Sequence, residues 1–147
     1  MELDSGGAVV KLLIIGPYPV RNNGMSEYID QYRAEFLRRG HEVSTESMYF
    51  WRNKLNNFRW LALISRLGEG FDAVFVQHTP TASGPLLPLF LRAARRRGVC
   101  TVIVGHETPS VYAKHLPAFL RPVYHAYERN LFSLASVRVV HTRQHAE

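Results

Sequence analysis

Brief apolar runs and helically spaced apolar stripes take turns along this chain. Leu12 to Ile15 is a short apolar run stopped by Gly16 and Pro17, the pattern of a strand covered on both faces in a parallel sheet. Beyond it, Met25, Tyr28, Ile29, Tyr32, Phe36 and Leu37 fall at offsets of 0, 3, 4, 7, 11 and 12, which is one stripe of an amphipathic helix. Arg38, Arg39 and Gly40 close that helix: cations suit the negative end of the helix dipole, and glycine accepts the left-handed conformation at the stop.

The same alternation predicts strands over residues 9–15, 42–48, 73–77, 99–104 and 137–142, and helices over 24–39, 86–97 and 120–134. A further helix carries Phe58, Leu61, Ala62, Ile64 and Ser65 and ends at Gly68 or Gly70. Strands that alternate with helices in this way fit a parallel sheet with helices on both faces. The expected fold class is therefore α/β, a Rossmann-like domain over residues 9–147 preceded by a flexible leader over 1–8.

Composition narrows the class further. The chain has 147 residues with 46% hydrophobic and 20% charged, enough for one domain with its own core and unlike a disordered segment. No run reaches the roughly 18 apolar residues of a membrane span. The acidic, polar start MELDSGG lacks the basic and apolar regions of a secretory signal, and the one cysteine, Cys100, fits a reducing compartment and a small core residue. A cytoplasmic location is the expectation. The net charge of +6 points to phosphorylated ligands, nucleic acid or an anionic membrane, or to a merely solvated basic surface.

Candidate chemistry gathers at the ends of the predicted strands. The loop from Gly16 to Gly24, with Arg21 and Asn23 in it, precedes a helix N-terminus. Exposed amides and the dipole there favour a phosphate, although a proline-lengthened connection has the same pattern. Neither G-x-G-x-x-G nor a P-loop occurs in it. His78 follows AVFVQ and His106 follows VIVG, with Glu107 next in line. Both histidines thus sit at carboxyl ends of strands, where open α/β sheets bind ligands, and a shared cleft with the glycine loop is expected. The histidines are not spaced as metal ligands, no cysteine pair exists and no G-x-S-x-G elbow occurs, so metal and serine-nucleophile readings are weak. Arg95 to Arg97 suit a helix end better than a phosphate site. Residues 49–66 interleave Trp51, Phe58 and Trp60 with Arg52, Lys54, Arg59 and Arg66; the segment fits an anionic bilayer surface, or equally a helix that covers the sheet with one face. No nucleic-acid recognition motif is found, so nucleic acid is not an expected partner.

The stretches GPYPVRNNGMSEYIDQYRAEFLRRGHEV, FDAVFVQH, TVIVGHETP and ERNLFSLASVRVVHT together resemble the N-terminal, acceptor-side domain of GT-B glycosyltransferases, in particular glycosyltransferase family 4. The resemblance runs from about Lys11 to the end. It departs from the family where Asn23-Gly24 replaces a Gly-Gly pair and where Thr142 stands in place of the usual serine. It implies one half of a GT-B fold, completed by a C-terminal Rossmann-like donor-binding domain whose acidic E-x7-E motif is missing here. It further implies a retaining, hexosyltransferase-like transfer from a nucleotide-sugar donor to a hydroxyl acceptor, lipid-linked or polysaccharide, with no metal or other cofactor. In that scheme His106 and Glu107 form the catalytic pair, His106 orienting the transferred sugar. Gly16, Arg21, Asn23, Gly24, His78 and Thr142 line the donor and acceptor sites. The chain alone is expected to be inactive, and its location cytoplasmic or peripheral to a membrane. The competing expectation is a non-catalytic Rossmann-like binding module.

Overall fold

The computed structural model describes residues 7–18, 24–48, 54–79, 83–106 and 113–140. Five strands, β1 (Lys11–Gly16), β2 (Glu42–Ser47), β3 (Ala73–His78), β4 (Cys100–Gly105) and β5 (Val137–Val140), alternate with helices α1 (Gly24–Arg38), α2 (Arg59–Arg66), α3 (Leu87–Arg96) and α4 (Arg121–Leu134). All pairings are parallel, in the order β2-β1-β3-β4-β5. The Rossmann-like α/β architecture expected from the alternation is therefore present, and it fits one half of a two-domain fold. Because β1 neighbours both β2 and β3, the strand order reverses there, and sheets of this kind place their ligand crevice beyond the carboxyl ends of the strands at such a reversal.

Strand alternation decides which helix meets which face. Leu13, Ile15, Val74, Val76 and Ile103 join Trp60, Leu63, Phe90, Leu91 and Leu131 in the main core, so α2, α3 and α4 cover one side. Phe75 points to the other side, where its ring lies 5.1 Å from Phe36 and 6.4 Å from Tyr32 of α1. The stripe predicted for α1 is used unevenly: Ile29 is buried, Tyr32 and Phe36 are half-buried, and Leu37 is exposed. Helix α1 stops as its sequence predicts. Gly40 adopts φ +82°, and the amide of His41 donates to the Phe36 carbonyl, a left-handed glycine cap.

Several boundaries differ from expectation for local reasons. Strand β1 begins at Lys11, whose amide donates to the Asp72 carboxylate at 2.7 Å, while Val9 is left exposed. Helix α2 is flanked by tight 3-10 turns at Lys54–Phe58 and Leu67–Glu69 and closes at Gly70. A 3-10 turn at Ala118–Leu120 leads into α4. Cys100, expected in the core, is only half-buried because it opens β4 beside Ala73. The 1–8 leader falls largely outside the described residues, as does the end of the last predicted strand beyond Val140.

Candidate functional site

The crevice is built from four elements. Strand β1 ends at Gly16, which lies against Gln77 of β3 and Ile29 of α1: a Cβ at this position would stand 2.8 Å from Gln77 Cβ and 2.9 Å from Ile29 Cδ1. No room for a methyl group exists, so glycine here serves the close approach of β1, β3 and α1. Gly24 begins α1, which directs the positive end of a 15-residue helix toward the same edge. Just past β1, the nearby Asp30 carboxylate holds the Tyr18 phenol above its ordinary value.

His106 occupies the opposite wall, immediately past β4. Its amide donates to the His78 carbonyl at 3.2 Å, extending the ladder by one bond. Its imidazole is partly buried, lies 5.2 Å from the Tyr28 ring and has Nε2 2.5 Å from Gln77 Oε1. Gln77 itself is 1% exposed, and its Nε2 has no hydrogen-bond partner among the described residues. Sequence reading passed over Gln77. The signal was available, since it is a polar residue inside an apolar strand and adjoins the histidine singled out there.

His78 does not share this crevice. It points to the other face of the sheet, where its ring meets Phe132 edge-on at 6.0 Å. Its Nε2 lies 3.0 Å from Glu128 Oε1 and its Nδ1 2.8 Å from Ser83 Oγ. All three side chains are at most 4% exposed. With a carboxylate at Glu128, Nε2–H donates to it and Nδ1 accepts the Ser83 hydroxyl. The order of groups is that of a serine–histidine–acid relay, but the hydroxyl is sealed from solvent. Around it the Trp60 indole donates to the Ser83 carbonyl at 2.6 Å, and the Tyr127 hydroxyl donates to Gly84 at 2.9 Å. Burial raises the Tyr127 phenol. The network clamps the segment after β3 to α2 and α4. Glu128 was legible as an acid on the inward stripe of α4, in phase with Tyr124 and Leu131, yet its pairing needed the fold.

A cavity of about 800 Å³ opens between α4 and β5, lined by His125, Glu128, Arg129, Phe132 and Arg138 among others. It lies at the sheet margin, away from His106. Of the residues expected at the site, Arg21, Asn23, Glu107 and Thr142 lie outside the described residues. Gly16 and His106 both adjoin Gln77, Gly24 begins α1, and His78 lies on the other face of the sheet. Among the described residues no cluster of three or more metal-ligating side chains occurs. No helix of the described residues is long and apolar enough to cross a membrane.

Of the 49–66 segment, Trp51 and Arg52 lie outside the described residues, and Trp60, expected among the rings at a bilayer surface, is in the core instead. Trp60 and Leu63 are buried in the core, so α2 does cover the sheet. On the outside Leu55, Phe58 and Leu61 are 70%, 60% and 49% exposed. The nearby cations are partly neutralised: Arg59 meets Glu46 at 3.4 Å, and Arg66 pairs with Glu46 and Glu69.

The chain matches no family model, and no curated protein matches it.

Proposed function

We propose that this chain is the acceptor-side half of a retaining, hexosyltransferase-like glycosyltransferase, which moves a sugar from a nucleotide-sugar donor to a hydroxyl acceptor. The observation that carries the reading is His106 just past β4, held by Gln77 of β3 beside the strand-order reversal and packed against Tyr28 near the start of α1. A neutral imidazole there would hydrogen-bond a sugar hydroxyl. The helix N-terminus favours phosphate oxygens, so a phosphorylated donor and a hydroxyl acceptor match the two walls. The chemistry needs a second wall, supplied by a C-terminal Rossmann-like domain, and this chain by itself gives no turnover.

The test is a donor and acceptor screen on the uninterrupted reading frame that contains this chain. Sugar transfer that falls at least a hundredfold in His106→Ala, with folding intact, supports the proposal. Transfer unaffected by that substitution, or no transfer from any nucleotide sugar, overturns it.

The exposed Leu55, Phe58 and Leu61 ridge favours peripheral attachment to an anionic membrane, where a lipid-linked acceptor would be presented. Exposed apolar side chains are one requirement for interfacial binding; of the adjoining cations, Arg59 and Arg66 are engaged by Glu46 and Glu69.

A further inference from the structure

We infer that Gln77 is a positioning residue with two separate tasks: its Oε1 fixes the tautomer of His106, and its Nε2 is reserved for an oxygen of the ligand that enters the crevice. This inference rests on the proposed transferase reading for the identity of the ligand, but not for the first task.

The geometry supplies the argument. Oε1 of Gln77 lies 2.5 Å from His106 Nε2, and a carbonyl oxygen only accepts, so Nε2 of the imidazole carries the hydrogen and Nδ1 carries the lone pair. The Tyr28 ring, 5.2 Å away, packs against the imidazole as a second support. Gln77 Cβ and Cγ fill the space beside Gly16 that a Cβ on that residue would need. The other end of the amide is buried without a partner among the described residues. Turning the amide round exchanges the unpaired NH₂ for an unpaired carbonyl and places the imidazole hydrogen on Nδ1 instead, so the tautomer also reports which way the amide faces. Burying such a group without a hydrogen bond is costly, and natural proteins keep few of them. A donor left unpaired next to the one histidine in the crevice, at the strand-order reversal where ligands bind in such sheets, is accounted for by a ligand oxygen that completes it.

Two measurements decide the matter. Long-range proton–nitrogen NMR of the isotope-labelled protein reads the His106 tautomer with no ligand present. The expected result is a single Nε2–H tautomer, a tautomer mixture in Gln77→Leu, and retention of the Nε2–H form in Gln77→Glu, which keeps the acceptor. An Nδ1–H tautomer in the unsubstituted protein, or no change in Gln77→Leu whose amide spectrum remains folded, overturns the first task. The second measurement, on the product of the uninterrupted reading frame that contains this chain, follows the Gln77 side-chain NH₂ signals during addition of UDP-glucose and GDP-mannose as probes. A downfield shift with either supports the second task, and unmoved signals at saturating probe overturn it. Because the tautomer is read without substrate, failure of the transferase reading leaves that result standing, and failure of the tautomer result leaves the transferase screen untouched.

Discussion

The carboxylate of Glu128 on α4 reaches across to His78 at the end of β3, with Oε1 3.0 Å from Nε2 and both side chains buried. One hydrogen bond thereby joins a strand end to the helix that covers the neighbouring strand. Glu128→Ala leaves a buried imidazole nitrogen without its acceptor, and such losses cost ~3 kcal/mol. Urea unfolding is expected to show a loss of that size, with His78→Ala showing a comparable one. The double variant should cost clearly less than the sum, because the two residues share one interaction. Strict additivity would mean that the pair does not act as a unit.

Gly16→Ala tests the packing at the crevice floor. A methyl group would sit 2.8 Å from Gln77 Cβ and 2.9 Å from Ile29 Cδ1, so strand or side chain must move. Overpacking of this kind costs about 1–3 kcal/mol. The same shift would displace the amide that holds His106. Lower stability together with altered His106 resonances is expected, and an unchanged unfolding midpoint would refute the packing account.

Trp60 is fully buried, and its indole donates to the Ser83 carbonyl. Truncation of Trp60→Ala should cost about 3–5 kcal/mol through the cavity left. Trp60→Phe keeps most of the apolar volume and loses the donor, and should cost less. Chemical denaturation of the two variants separates packing from hydrogen bonding; equal losses would place the whole effect in the hydrogen bond.

Glu35 provides the pH prediction. Hydrogen bonds from Arg38 first and Arg39 second lower its carboxyl from 4.5 to about 2. Since the folded value is the lower one, its contribution is present above pH 4.5 and disappears as pH falls through about 2. All three groups lie at the surface, so the effect is small and screened by salt. Glu35→Gln should therefore lower the melting temperature slightly at neutral pH in dilute buffer. The two proteins should converge on acidification and in high salt. A difference that grows toward low pH would contradict the sign.

The membrane reading is checked by vesicle sedimentation. Binding to vesicles that contain phosphatidylglycerol, and not to neutral phosphatidylcholine vesicles, is expected. The triple substitution of Leu55, Phe58 and Leu61 by serine should weaken it at least tenfold. Equal weak binding to both vesicle types would sink the idea.

Backbone architecture was legible because it depends on local periodicity. The run ending at Gly16, the stripe through Ile29 and the stop at Gly40 each state their element within a dozen residues. Side-chain partnership was not, because it depends on which face a strand residue takes and on contacts across 29 to 50 positions of sequence. His78 and His106 look equivalent in the sequence, each following an apolar run. Their strands register His78 with Gly105, so His106 is one residue further along and points to the opposite side. That offset of one residue, invisible without the pairing, sends one histidine into the core beside Glu128 and the other to Tyr28.

The sheet thus acts as a partition between a histidine that holds the fold and one that stands at the crevice. Genetics gains a built-in control from this: two changes of the same chemical kind, at neighbouring strand ends, should separate into one that lowers cellular protein abundance and one that lowers ligand response at normal abundance.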